Sequence, residues 1–346
     1  MFSIGARISD GRGSVVFPIV IKIIYIRGKN SEIGNAMKTP LLHALQPFPR
    51  ILFVVLLIIS CLFFFFLGGV LLAMPLFDVS LSETMALLAD YANPKAVSLL
   101  KYLQVIQEVG IFIVPPLLAA FLFASRPFQY LKLTNPSRWE MWVMATVIMV
   151  TSIPAISQLI ELNEAMELPE WLSGMEQWMQ KAEVQAKELT EAFLDVNTLG
   201  GFLLNLMMIA ILPAIGEELL FRGLFQRLFH DWLGNIHLAI ILAGFLFGAM
   251  HLQFYGILPR AVLGILFGYL FYWSGSLWIP IFAHFLNNAV AVTVSFLERQ
   301  GLIGTSLEEF GTTDNLFLMI SSFVVTFLAI YLFRYSSYAR NKRTTL

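Results

Sequence analysis

Residues 51–74, ILFVVLLIISCLFFFFLGGVLLAM, run on without a single charge. About 20 predominantly apolar residues suffice for a helix to cross a bilayer. Inside lipid, a chain must satisfy its backbone polar groups within helices or a closed barrel. By window hydropathy, seven more runs follow, at about 104–124, 142–161, 199–226, 236–254, 256–274, 277–297 and 315–333. Overall 58% of the 346 residues are hydrophobic and 13% charged, against about 45–50% and about 25% in soluble domains. The pattern predicts an all-α, polytopic membrane protein with about eight transmembrane helices. A net charge of −1 gives no basis for a nucleic-acid partner. The single cysteine, Cys61, excludes an intramolecular disulfide and a cysteine-based metal centre.

The basic residues alternate with the acidic ones from loop to loop. Lys38 and Arg50 precede the first span, and Arg126, Lys132 and Arg138 separate the second from the third. Arg222 and Arg227 end the fourth, while Arg334, Arg340, Lys342 and Arg343 follow the eighth. The longest loop, 161–195, carries nine Asp or Glu against Lys181 and Lys187. The positive-inside rule places both termini in the cytoplasm and this acidic loop outside.

Within that outer loop, between spans three and four, Leu168, Trp171, Leu172, Met175, Trp178 and Met179 recur at helical spacing. An amphipathic helix lying on the membrane, with its tryptophans at headgroup level and lipids as its partner, is expected. Residues 1–50 read as a cytoplasmic or interfacial segment, partly disordered. Its apolar stretch 14–26 contains Lys22 and is short for a span, and Met37 offers an alternative start. Residues 51–335 form the transmembrane domain, with a catalytic core about 199–297, and 336–346 form a basic cytoplasmic tail.

Ionisable groups within spans are costly, by about 2.5–3.5 kcal/mol on insertion scales, and mark functional candidates. Here they are Glu108, Glu217, Glu218, Arg222, His251, Arg260 and His284, joined by the polar Asn288. Glu218 and Arg222 are four residues apart and share a helix face. Glu217 is turned about 100° from Glu218 and is free to point elsewhere. Phe247 with His251, and His284 with Asn288, repeat the four-residue spacing. Glu108 and Arg260 have no obvious partner at that spacing and read as structural.

A carboxylate beside an imidazole in a dry pocket can take a proton from water and direct the hydroxide at a carbonyl. Such a base works best when burial or a like charge makes it less acidic. Adjacent glutamates supply the like charge, and Arg222 keeps Glu218 ionised. A second imidazole and an amide NH₂ suit the oxyanion. His and Glu also bind zinc, although no HExxH helix occurs. Two other classes fit the same residues. One is a proton-coupled carrier, since membrane Glu and His chains relay protons. The other is a non-catalytic membrane scaffold or immunity-type binding protein.

EELLFR (217–222), FGAMH (247–251) and HFLNN (284–288) stand in order on spans four to seven. Together they resemble the EExxxR, FxxxH and HxxxN motifs of the CPBP, or Abi, family of intramembrane proteases. That family includes type II CAAX prenyl endopeptidases and bacteriocin-immunity proteins. The resemblance implies a peptidase with a conical cavity open to the cytoplasm and lateral access from the membrane. It implies that Glu217 and His251 activate water and that His284 and Asn288 hold the oxyanion. Glu218 and Arg222 would support them, with Phe247 completing the second motif. The implied substrate is a peptide or membrane protein, lipidated in some members, cut near the cytoplasmic face. Asn288 is a poor zinc ligand, which favours a cofactor-free mechanism. Were zinc bound, Glu217, His251 and His284 would hold it.

Overall fold

A computed structural model describes residues 40–343, with side chains to Ser337. The 14–26 stretch and Met37 lie outside the described residues. Among the described residues every regular element is helical. Apart from short helices at Leu81–Leu87 and Pro127–Tyr130, they are in chain order α1 (Pro47–Phe77), α2 (Pro94–Phe123), α3 (Trp139–Thr151), α4 (Ile153–Glu164) and α5 (Ser173–Leu194). Then come α6 (Leu199–Leu233), α7 (Ile236–Ala249), α8 (Ile257–Ser274), α9 (Trp278–Arg299) and α10 (Leu316–Arg343). Six are long and apolar enough to cross a membrane, and α3 with α4 makes a seventh if that bent pair is one span. The protein is therefore an all-α, multi-pass integral membrane protein.

All eight apolar segments are helical, but two differ from simple spans. The third breaks by 45° between Thr151 and Ile153, where Pro154 enters the first turn of α4 and has no N–H to donate. Ser322 of α10 donates to the Thr151 carbonyl at 2.6 Å, so the break leaves that acceptor satisfied in lipid. The fifth, α7, has 14 residues and spans only about 21 Å at 1.5 Å per residue. Asn235 caps its start by accepting from the His237 and Leu238 amides, and Leu252, left-handed at φ 54°, stops the chain from continuing as helix.

Burial separates the centre from the rim. In their most apolar stretches, 44% of α9 and 39% of α8 residues are buried, against 17% for α1 and α10. The first pair is enclosed and the second faces lipid. α7 packs closely on α8, because a methyl on Gly264 would lie 2.8 Å from the Gly244 Cα. Small residues of this kind are how membrane helices reach van der Waals contact. Residues 40–46 form a turn, tied to the end of α2 by the Leu42 amide on the Leu122 carbonyl at 2.9 Å.

Two spans carry wide π-helical turns. One, Val109–Ile113, follows Glu108 in α2. Two more, Leu206–Ile211 and Leu219–Phe225, flank the Leu212–Glu218 segment of α6. Such bulges cluster at functional sites. Pro213 cannot bond the Ile209 carbonyl four residues back, and Asn288 of α9 donates to that carbonyl at 3.1 Å.

The amphipathic helix of the acidic loop is present as α5, preceded by a 3₁₀ turn at Glu170–Leu172. Met179, Phe193 and Leu194 are buried, while Trp171, Met175 and Trp178 are exposed. Those three lie at i, i+4 and i+7, on one face.

Candidate active site

The deepest polar group is Arg222, fully buried beside an equally buried Glu218. Arg222 Nη1 donates to Glu218 Oε1 at 2.6 Å, the four-residue pair read from the sequence. Its Nη2 crosses to the Gly264 carbonyl of α8 at 2.8 Å. One turn further, Gln226 donates to the Gly268 carbonyl at 3.2 Å. The guanidinium lies 4.8 Å from the Phe247 ring centroid and 5.4 Å from that of Phe267. Aromatic faces there supply cation–π attraction where water is absent. This explains why the FxxxH motif needs an aromatic. Phe247 also meets both histidines edge to face, at 5.2 Å from His251 and 5.7 Å from His284.

Glu218 Oε1 also bonds His284 Nδ1 at 3.0 Å. An ionised Glu218 can only accept, so Nδ1 carries the proton and Nε2 of a neutral ring keeps its lone pair. That Nε2 faces Glu217 Oε2 at 3.9 Å. Glu217, read from the sequence as free to point away from Glu218, brings its oxygen to His284. Two glutamates about 100° apart on a helix can flank one imidazole, because the ring nitrogens lie on opposite edges. Glu217 Oε2 is buried and has no hydrogen-bond partner among the described residues.

His251 lies just beyond α7, its Nδ1 bonded to the Phe247 carbonyl at 2.8 Å. A carbonyl only accepts, so this ring too presents Nε2 as an acceptor. Asn288 has one amide hydrogen on the Ile209 carbonyl, and its oxygen accepts from Asn287 at 3.1 Å. It therefore satisfies the backbone gap that Pro213 opens, besides lining a cavity.

Two residues read as structural belong to this cluster. Glu108 is buried, takes a hydrogen bond from Gln104 at 3.1 Å, and is close enough for its charge to act on Glu217. Gln104 stands four residues before Glu108, so that partner was visible at helical spacing. Arg260 donates to Gln253 at 2.6 Å, and Gln253 donates to Glu183 of α5 at 3.2 Å. Its charge reaches both Glu217 and His251.

A cavity of about 550 Å³ adjoins the cluster. Asn288, Arg260 and Glu183 line it together with apolar residues of α3, α4 and α9. Glu164, Glu183, Leu307 and Phe310 bound it, and all lie at the membrane side of the acidic loop. Lys187 of the acidic loop pairs with Glu308, so the 300–315 loop and the acidic loop share the end of the bundle that this cavity reaches.

Zinc finds no ready cage in this arrangement. Among the described residues, no three His, Cys, Asp or Glu side chains converge closely enough to hold a metal ion. Glu217, His251 and His284 would have to supply it; His284 Nδ1 is on Glu218, which leaves Nε2 free.

Residues 199–290 match the family model of type II CAAX prenyl endopeptidases, Rce1-like. All seven motif residues named above fall within that segment. Two curated proteins of Bacillus subtilis (strain 168) are similar. The uncharacterized protein YpbD is 28% identical over 90 residues, 25% of this chain and 43% of its own. YdiL, named as a candidate membrane peptidase, is 29% identical over 120 residues, 33% of this chain and 48% of its own. The chain thus spans about half the length of the curated relatives it matches. No solved structure matches. The resemblance to the CPBP family holds over the segment that carries the cluster.

Proposed function

Taking the likeness of residues 199–290 to type II CAAX prenyl endopeptidases as premise, we propose that the chain is an intramembrane endopeptidase. The observation that carries this reading is the pair of acceptors facing each other, Glu217 Oε2 and His284 Nε2, 3.9 Å apart and buried. Two acceptors at that spacing need a donor between them, and a water with two hydrogens suits both. Glu217 takes one proton as the water oxygen bonds the carbonyl carbon. His284 fixes the water's orientation, and the Arg222–Glu218 pair fixes His284. His251 adds a second neutral imidazole acceptor beside them. When the tetrahedral intermediate collapses, the C–N bond breaks and Glu217 returns its proton to the leaving nitrogen.

The substrate is a peptide or membrane-protein segment that reaches the site through the cavity on the acidic-loop side. Its apolar walls, from Met149 to Ile160 and from Leu286 to Ala291, suit an apolar stretch of chain. The charge bias of the loops supports cytoplasmic termini, and Glu217 stands near the middle of α6. A cysteine introduced at Leu307 then reacts with a membrane-impermeant maleimide added outside intact cells. Labelling only after lysis reverses the orientation.

The activity is tested by comparing membranes that contain the native chain with membranes that contain Glu217→Gln. Mass spectrometry of new protein termini should find products only with the native chain, and identical sets of termini would sink the proposal. A second reading draws on Glu108, whose charge acts on Glu217 from a neighbouring span: stacked carboxylates also serve proton relays. Substrate-dependent proton flux into liposomes, without cleavage, would replace the first reading by that one.

A further inference from the structure

The hydrogen-bond chain that Pro213 starts runs one residue beyond Asn288 and fixes which atoms meet the cavity. Pro213 has no N–H for the Ile209 carbonyl. A carbonyl only accepts, so the group that covers it, at 3.1 Å, is the NH₂ of Asn288. The Asn288 oxygen is thereby turned the other way and needs a donor. Asn287 Nδ2 supplies it at 3.1 Å, which leaves Asn287 Oδ1 as the loose end of the chain. That oxygen has no hydrogen-bond partner among the described residues and is not sealed off. Asn287 is half-buried and lines the cavity beside Asn288. Asn288 in turn keeps its second amide hydrogen, which suits the oxyanion role implied by the resemblance. This wall of α9 thus offers one acceptor and one donor side by side, between Leu286 and the apolar pair Val290 and Ala291. A peptide backbone carries the complementary N–H and C=O.

We infer that Asn287 Oδ1 accepts a backbone N–H of the substrate beside the scissile bond, making Asn287 a substrate-binding residue outside the three motifs; the inference rests on the peptidase reading above. An acceptor facing apolar walls is costly to leave unpaired once a substrate has displaced water, and a substrate N–H removes that cost. Asn287 is also a positioning residue. With the Ile209 carbonyl, its NH₂ keeps the Asn288 amide from flipping, so that Asn288 turns a hydrogen and not an oxygen towards the oxyanion. An N–H inside a helix is already spent on the carbonyl four residues back. The segment that Asn287 reads is therefore unwound at the cut, and an apolar stretch with a local break in its helix is the class of substrate that fits.

The test uses the full chain in lipid nanodiscs and end-blocked leucine peptides with a phosphinate in place of one peptide unit, whose tetrahedral anion stands for the hydrated carbonyl. Each remaining amide is replaced in turn by an ester, which has no N–H. Native protein should bind the all-amide probe, and the ester at one position should weaken binding about tenfold, as for one lost hydrogen bond. Asn287→Leu keeps the shape and removes both polar atoms, so amide and ester at that position should bind it alike. A purely structural role would weaken every probe equally and leave the ester effect in place. Melting curves without probe establish folding, and Asn287→Ala takes the place of Asn287→Leu if that variant melts early. No ester-sensitive position in native protein, an ester effect that survives in the folded variant, or no binding of the all-amide probe overturns the inference. Glu217-dependent termini without an ester-sensitive position sink this inference and leave the peptidase. An Asn287-dependent ester effect without Glu217-dependent termini sinks the peptidase and leaves a peptide-binding site.

Discussion

Arg222 and Arg260 sit on adjacent helices, and their surroundings are opposite. Arg222 is sealed between aromatic rings, with one nitrogen on Glu218 and another on a backbone carbonyl of α8. Arg260 has one fixed nitrogen, one free, and a cavity beside it. The first end of the site is closed by helix-to-helix stitching, at Gly264 and again at Gly268. The second is held by longer ties through Gln253 and Asn163, which reach in from the acidic-loop side. A membrane protein can bury a charge either to lock helices or to present it to a substrate. Arg222 has the partners of a lock, a carboxylate, a backbone carbonyl and aromatic rings, whereas Arg260 is tied to a loop glutamine.

Substitutions that separate locking from chemistry sharpen the contrast. The largest effect is expected from Arg222→Met, which leaves Glu218 buried without its cation and should cost about 3–5 kcal/mol of stability. Thermal melting in detergent measures it, and an unshifted melt would erase the distinction between the two ends. Glu217→Gln should lower kcat by roughly 10²–10⁴ with the melt unchanged, because Oε2 has no protein partner to lose. A melt that falls as far as for Arg222→Met would make Glu217 a lock as well. Gly264→Ala presses a methyl against the Gly244 Cα, and such overpacking costs about 1–3 kcal/mol. Chemical denaturation should resolve that loss, with Glu217-dependent cleavage retained by the folded fraction. The smallest change is expected from Trp171→Ala with Trp178→Ala, within about 0.5 kcal/mol. Both rings are exposed, Trp171 in the 3₁₀ turn before α5 and Trp178 on α5. Five tryptophans remain in the double variant, so brominated-lipid quenching of the native fluorescence should fall without vanishing, and an unchanged quenched fraction would take these two rings off the membrane surface.

The fold class was legible because span hydropathy is a local property of the chain, and so was the Glu218–Arg222 pair, four residues apart on one helix. The failure of α7 to reach full length was hidden by Met250 and Leu252, which keep a hydropathy window apolar beyond the last helical turn. Gln104 and Glu108 stood at readable spacing, but a neutral partner to a buried carboxylate attracts less notice than an arginine. Asn288 could not be understood without its neighbour across the bundle, since its amide answers a proline 75 positions earlier in the chain. Arg260 finds its partner in a loop, and the side on which the cavity opens depends on how α4, α5 and α9 meet. Those facts belong to packing, which a pattern of spacings within single helices does not encode.

The shortness of α7 has a consequence for the lipid. A helix of about 21 Å stands where the hydrocarbon layer is about 30 Å thick. Leu238, Ile241, Leu242 and Phe245 line its exposed face, and only single exposed apolar residues such as Met250 and Leu252 follow beyond its last turn. Hydrophobic mismatch of this size draws the leaflet inward around the protein, on the side where the chain turns at His251. On the peptidase reading, such a dimple would bring the aqueous boundary nearer His251 and shorten the path of the water. It also makes bilayer thickness a control on rate: lengthening the acyl chains around the reconstituted protein should slow turnover before it alters the fold.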